Sequence, residues 1–471
     1  MTKNKRIFVL FPDGVGLRNF AFTHFKEIGE QQGFDIVYWN NTVFPLKEEL
    51  GYEEVKMPST QLHPLTTTLS RARKRMELKL NEKRLKDPVY RTYTFPLNWK
   101  GSKSILRSAI VLGYQLFQST ERGWARLMKK IYTNERKTER YRLCREQLEE
   151  HRPDLVFCTT QRATQAIAPI LAAKDLGIPT ACWIYSWDNL PKGMSTIEAD
   201  YYFVWSDLMK EQLLTYYPRI KAEQVTVSGT PQFEPHYDKT LIVPREEFCD
   251  EYGLDPGKKY ICFSGDDMTT SPLDEYYLED LAKAVSRLNE EGENLGIIFR
   301  PVPVDVNARY DFVLEQYPEL ITVIRPLWKP MGDQWNQIMP TKEDFGLLVN
   351  TCYHSELVVN ICSSMVFDFA IHDKPCIYPN YEQPQLRKGI RDIGQNYNYV
   401  HFRSMPTKNE VVWALSKEDM YSGVKDLISG AQNPVAAAKK WLSIVNRGDK
   451  PEQASRRIWE GIATILELKD H

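Results

Sequence analysis

ELVVNICSSMVFDFAIHDKPCIY, residues 356–378, holds two apolar, strand-like runs separated by one short helical pattern. ELVVNI (356–361) is β-branched enough for a central strand. Ser363 stands where an N-cap would, and SMVFDFAI reads as a helix. His372-Asp373-Lys374-Pro375 stops it, and CIYP opens the next strand. A strand that feeds a helix through small polar residues leaves backbone N–H groups aimed at an anion. The stretch therefore reads either as a phosphate cradle or as an ordinary capped helix.

The same rhythm extends outward in both directions. Upstream lie KYICFSG (259–265), a helix over 273–290, NLGIIFRP (294–301), ITVIRP (321–326) and a helix near 342–353. Nearer the N-terminus, RIFVLF (6–11) reads as a strand, PDGVG as a turn and LRNFAFTHFKEIGEQQG as one helix. FDIVYWN (34–40) follows, then PDLVFCTT (153–160), the helix QRATQAIAPILAAKDLG, IPTACWIY (178–185), ADYYFVWS (199–206) and VTVSG (225–229). Strands alternating with helices predict an α/β fold of two Rossmann-like, doubly wound parallel-sheet domains facing a cleft. The turn-rich GTPQFEPHYDK (229–239) marks the boundary, which gives domains of 1–235 and 236–435 and a closing segment of 436–471. Ile458, Trp459, Ile462, Ala463 and Leu466 give that segment an amphipathic helix.

The chain has 471 residues, 42% hydrophobic and 26% charged, with a net charge of −1. That balance excludes a general nucleic-acid binder, so no nucleic-acid partner is expected. Eight cysteines lie scattered, without metal-binding spacing, which fits a reducing cytoplasm. Met1–Arg6 runs straight into a strand-length apolar segment, unlike a signal peptide, and SAIVLGYQLFQST (108–120) is too short to span a bilayer. A cytoplasmic protein is expected, free or peripheral on the inner face of the membrane.

Residues 41–150 break the βα rhythm and hold a helical insertion over about 60–150. Ile105, Ala109, Leu112 and Leu116 keep helical spacing, as do Trp124, Leu127, Met128 and Ile131. Between 60 and 150 stand 21 Lys/Arg against 9 Asp/Glu. The stretch reads as a solvated helical hairpin or as a platform for anionic lipid heads or a lipid-pyrophosphate acceptor, with peripheral membrane contact through 71–145. Trp99, Tyr114, Phe117 and Trp124 suit an interfacial patch and a packed helix pair equally.

Two Rossmann-like halves, PDGVG in the first turn, VSGTPQFEP at the boundary and the late ICSSMVFDFAIHDKPCIY together resemble the GT-B glycosyltransferase superfamily. The last block resembles the nucleotide site of bacterial surface-polysaccharide and teichoic-acid-type enzymes, the CDP-glycerol glycerophosphotransferase and UDP-glycosyltransferase groups. SWDNLPKG (186–193) is similar to a W-D-N segment of some GT-B enzymes. The resemblance implies that Ser363 and Ser364 meet a pyrophosphate and Asp368 a ribose, with Gly265 on the nucleotide side. Arg300, in FRPVP, would face the leaving diphosphate, with Arg325 as its competitor. Gly14 and Gly16 would let the chain pass close to a sugar or diphosphate, and Trp187 and Asn189 would lie on the acceptor side. Asp13, Asp188 and His24 compete as the base, with Asp13 and Asp188 favoured. The closing segment is expected to pack back on the first domain.

The activity so implied is transfer of a sugar from a nucleotide-sugar donor, a UDP-sugar, to a surface-glycan or lipid-linked acceptor. No cofactor and no metal are expected, and Asp266-Asp267 reads as a cleft-edge loop. The alternatives are a nonhydrolysing nucleotide-sugar epimerase and a catalytically inactive nucleotide- or glycan-binding partner protein.

Overall fold

The computed structural model of the protein describes residues 4–303, 308–332, 337–387 and 392–470. Among these the apolar runs of the first half form seven strands. They are β1 (Arg6–Phe11), β2 (Asp35–Asn40), β3 (Glu54–Lys56), β4 (Leu155–Cys158), β5 (Thr180–Trp183), β6 (Tyr201–Val204) and β7 (Val225–Val227). All pair in parallel, in the order β3-β2-β1-β4-β5-β6-β7. Parallel strands covered on both faces carry unbroken apolar runs rather than alternation. Ile7 to Phe11 of β1 are accordingly all fully buried.

The second half forms β8 (Lys259–Ser264), β9 (Leu295–Arg300), β10 (Ile321–Val323), a hairpin of β11 (Trp328–Pro330) and β12 (Ile338–Pro340), then β13 (Ser355–Asn360), β14 (Cys376–Pro379) and β15 (Val412–Ala414). Its parallel sheet runs β10-β9-β8-β13-β14-β15. In each sheet the order reverses beside the first strand, between β1 and β4 and between β8 and β13. Ligands of open α/β sheets bind outside the carboxyl ends of the strands at such a reversal.

The chain divides into two compact units, one reaching to Pro231 and resuming at Val445, the other spanning Gln232–Ile444. The return to the first unit thus comes later than residue 436. Trp441 belongs to the second unit, where its ring meets Phe367 at 4.7 Å and its Nε1 donates to Ser404 Oγ at 2.8 Å. The helix Ala454–Asp470 belongs to the first.

Three local expectations change. Residues 17–33 are not one helix: Leu17–Phe20 and Phe25–Gln31 are separate, and Thr23 between them turns its Oγ1 back to Asn19 O at 2.7 Å. The N-cap position of the Met365–Ile371 helix is Ser364, while the Ser363 hydroxyl accepts from Met365 N at 3.3 Å. In the insertion, Trp124, Leu127, Met128 and Ile131 are buried as their spacing predicts, yet Ile105 and Leu116 are 45% and 54% exposed. No described helix is long and apolar enough to cross a membrane.

The insertion comprises the helices Thr66–Leu85, Ser102–Phe117, Glu121–Glu135 and Glu139–His151 with a short turn between the first two. A buried ion pair roots it. Arg73 Nη1 meets Glu77 Oε2 at 2.7 Å, and Arg73 Nη2 donates to Gly193 O at 3.1 Å.

Trp459 of the closing helix stacks on Phe25 at 4.6 Å and on Phe34 at 5.0 Å, and its Nε1 donates to Phe25 O at 2.7 Å. Gly29 makes this approach possible, since a Cβ there would lie 2.4 Å from the Trp459 ring. Gly29→Ala should therefore destabilise the protein by about 1–3 kcal/mol through overpacking, although alanine is the better helix former by about 1 kcal/mol. A lowered urea midpoint with unchanged slope is the expected reading, and a raised midpoint would contradict the packing argument.

Candidate functional site

In the second unit three neighbouring strands end level with one another. Arg300 of β9 lies beside Ser264 of β8, and Ser264 beside Asn360 of β13. Arg300 is 7% exposed, and its Nη2 donates to Asp344 Oδ1 at 2.8 Å. Asp344 is itself held, accepting from Leu327 N at 2.9 Å and from Trp328 Nε1 at 3.0 Å. The other guanidinium nitrogen, Nη1, has no hydrogen-bond partner among the described residues. Asn360 is fully buried, and neither its Oδ1 nor its Nδ2 has one. A buried orphan polar group costs about 1–3 kcal/mol. Three such atoms lie in one row at the sheet's reversal point, which makes this row the candidate site of the second unit. Arg325, the alternative cation, is exposed.

Past β8, Gly265 donates its N–H to Arg300 O at 2.9 Å and runs tightly against its neighbours. A Cβ there would sit 3.1 Å from the Phe299 ring and 3.2 Å from the Tyr310 hydroxyl. Asp266 follows. Burial, with Asp274 and Asp267 nearby, pushes its carboxyl well above the usual carboxylate range. Asp274 is fully buried and likewise pushed up by burial. It accepts from Asp266 N at 3.0 Å and from the Tyr310 hydroxyl at 2.7 Å. Past β13, Cys362 adopts φ +54°, left-handed backbone that a cysteine rarely takes. This kink leads into the half-buried Ser363 and Ser364, and Tyr378 donates its hydroxyl to Ser363 O at 2.6 Å.

The expected ribose acid has a different role locally. Asp368 is 4% exposed, and its Oδ1 lies 2.9 Å from His236 Nε2. The other His236 nitrogen, Nδ1, lies 2.9 Å from His372 Nε2. With Asp368 ionised, the arrangement that satisfies each of these atoms has His372 Nε2–H donating to His236 Nδ1 and His236 Nε2–H donating to Asp368. Burial, reinforced by His236, pushes the His372 imidazole down to about 4. Asp368 is thus a buried anchor for the helix that follows the serine turn.

In the first unit, β1, β4 and β5 deliver their loops to one edge. Asp13 caps the Gly14–Gly16 turn, accepting from Val15 N at 3.2 Å. Burial raises its carboxyl, and the Arg162 charge partly offsets this. Gly16 serves packing rather than a ligand, because a Cβ there would meet Thr159 Oγ1 at 2.5 Å. Arg162 lies over the Tyr185 ring at 5.6 Å, and Tyr185 is within electrostatic reach of Arg18, Asp13 and Asp188. Asp13 and Asp188 thus both lie within electrostatic reach of Tyr185. Asp188 is ion-paired with Lys192 and also accepts from Asn189 Nδ2 at 2.8 Å. Asn189 is 3% exposed and accepts from the buried Gln161 Nε2 at 3.0 Å, so it ties two loops together instead of facing an acceptor. Trp187 is 6% exposed and offers no open face to a sugar. His24 stands at the start of the Phe25–Gln31 helix, paired with Glu27 at 2.6 Å in solvent.

The insertion adds cations to this edge. Lys74 carries its amine over the Phe95 ring at 5.6 Å, and burial, with Arg73 and Lys192 nearby, pushes it down to about 8. Sequence reasoning missed Asn360, the Asp266–Asp274 pair, the two histidines, Arg162 and Lys74. An asparagine closing an apolar strand and an arginine just past β4 carried a usable signal. His236 did not, since 132 residues separate it from Asp368.

No protein family and no curated protein matches the sequence. Solved structures do. A protein assigned as a UDP-N-acetylglucosamine 2-epimerase from Listeria monocytogenes aligns over 98% of this chain and 97% of its own, at 12% identity and a TM-score of 0.54. The UDP-GlcNAc 2-epimerase from Methanocaldococcus jannaschii aligns over 96% and 98%, at 14% identity and a TM-score of 0.50. A glycosyltransferase from Rickettsia africae aligns over 98% and 99%, at 12% identity and a TM-score of 0.50. At these identities the likeness is one of fold, and the fold is of the GT-B type.

Two measurements check the anchor. Asp368→Ala should lower stability by about 2 kcal/mol, the scale of a lost charge-assisted hydrogen bond. An unchanged denaturation midpoint would remove Asp368 from the framework. Burial, reinforced by His236, pushes the folded His372 imidazole down to about 4 from its ordinary value of 6.5. Stability from its neutral form is thus present above about 6.5 and lost as pH falls through 4. His372→Gln should flatten the melting temperature over that window, and a slope identical to the parent's would refute the linkage.

Proposed function

We propose that the protein is a glycosyltransferase that takes its sugar from a UDP-sugar donor. The observation that carries this reading is the preset polar row at the second sheet's reversal point, where Arg300 Nη1 and the Asn360 amide lack partners among the described residues. As the bond between C1 and the diphosphate oxygen breaks, negative charge grows on the leaving diphosphate. Arg300, held rigid by Asp344, stabilises it most in the transition state. Ser363 and Ser364 meet the phosphates. We assign no resident cofactor to this step, because Arg300 and the turn supply the charge it requires. The new bond forms between C1 and an acceptor hydroxyl, whose proton passes to a carboxylate. Of the two candidate carboxylates of the first unit, Asp13 is the more basic, because burial raises it while Asp188 is committed to Lys192.

The first unit supports transfer to an anionic acceptor, a surface glycan or a lipid-linked one. Lys74, Arg162 and Lys192 bring three cations to the edge that carries Asp13. The insertion also opens a cavity of about 700 Å³ lined by Arg75, Lys79, Lys83 and Arg91, the last paired with Glu82 of the same lining. Seven buried thiols of eight suit the reducing cytoplasm. Epimerisation of a UDP-sugar is the second reading, favoured by the epimerases among the structures of like fold. It needs no acceptor and leaves this cationic region without a task.

Incubation with UDP-GlcNAc alone separates the two. The transferase reading expects UDP to raise the melting temperature and the sugar to remain unconverted without an acceptor. Accumulation of a 2-epimer would replace transfer with epimerisation. Arg300→Lys retains a charge for Asp344 but loses the second nitrogen. It should lower kcat more than it raises the donor KM, by roughly 10²-fold or more. A normal kcat would move the role elsewhere.

A further inference from the structure

The Ser102–Phe117 helix is built inside out. Its inward side, with Ser108 and Val111 buried, is fastened by polar bonds: Ser108 Oγ donates to Asn98 O at 2.7 Å, and Arg75 Nε donates to Gln115 Oε1 at 2.7 Å. Its apolar stripe points to solvent. Ile105, Leu106, Leu116 and Phe117 are 45%, 63%, 54% and 81% exposed, and Ala109 lies between them on the same face. The preceding loop adds Phe95 at 68% and Trp99 at 50%. A contiguous exposed apolar face of this kind marks an interaction surface rather than scattered surface residues.

The surrounding charge identifies the partner. Residues 94–131 carry seven Lys/Arg and one Glu. Lys100, Lys103 and Arg107 make no ion pair among the described residues, so their charge is available. Alongside runs a groove of about 530 Å³, with Tyr114, Phe117 and Leu127 along it and Arg126 and Lys130 at its rim. We propose that this face docks on an anionic phospholipid bilayer. The helix would lie in the interfacial plane, with its apolar side chains at the acyl boundary and its cations among the headgroups. A second copy of the chain fits less well, because a symmetric contact sets the patch against itself and opposes like charges. The surface rests on exposure and charge alone and holds whichever reaction the protein performs.

The test is co-sedimentation of the full chain with vesicles of mixed phosphatidylglycerol and phosphatidylcholine. Binding is expected at low salt and should fall at least about tenfold in phosphatidylcholine alone or at high salt. Leu106→Asp with Phe117→Asp should weaken it by a similar factor at an unchanged melting temperature. Charge reversal at Lys100, Lys103 and Arg107 offers a second route that leaves the apolar stripe intact, and it should abolish the preference for phosphatidylglycerol. Three results would overturn the proposal: no binding to the mixed vesicles at low salt, full binding by both variants, or a parent dimer that the Leu106/Phe117 variant converts to monomer.

Discussion

Parallel pairing forces every strand of a sheet to end on the same edge, and what this protein can bind follows from that constraint. In the second unit it aligns Arg300, Ser264 and Asn360 across three strands although they are far apart in the chain. In the first it delivers the loops after β1, β4 and β5 to one place, where Asp13, Arg162 and Asp188 all act on Tyr185. The reversal of strand order beside β1 and β8 leaves those edges uncovered by a crossover helix, so polar groups accumulate where a ligand can reach them.

These edges are held at a cost in stability that the surroundings offset. Asp274 is fully buried with the half-buried Asp266 beside it, which favours their neutral forms. Cys362 sits in left-handed backbone, and Arg300 and Asn360 retain unpartnered atoms among the described residues. Against this stand the Asp344 clamp on Arg300, the Tyr378 bond to Ser363 and the His372–His236–Asp368 chain that ties down the helix after the serine turn. Strain of this kind persists only where neighbouring packing overdetermines it.

The helical insertion shows how one basic segment can serve two ends. Arg73 and Lys74 turn inward, one as a root bonded to Glu77 and Gly193, the other as a half-buried amine beside Lys192. Farther along, Lys100, Lys103 and Arg107 flank an apolar stripe that faces water. Periodicity predicts that such a stripe exists, because positions three and four apart share a face of any helix. It does not say which way the face points, and here the stripe faces water while Ser108 and Val111 turn inward.

Local pattern by itself determined the central strands, most of the helices and the α/β class, since unbroken apolar runs between turn residues have few other ways to bury themselves, whereas the three-residue strands β3, β11, β12 and β15 carried no such run. Strand ends visible in the sequence located Asp13, Arg300 and the Ser363–Ser364 turn, and the resemblance to GT-B enzymes singled out Arg300 and the serines among them. Tertiary structure alone decided the rest. Asp368 became a buried anchor because His236 reaches it, Gly16 a packing glycine because Thr159 crowds it, and Trp187 a buried ring rather than a sugar platform. Asn360 closes an apolar strand in the sequence, but that its amide has no bonding partner among the described residues is a tertiary fact. The physical reason is common to all four: what a side chain touches depends on segments distant in the chain, and residue spacing carries no record of those contacts.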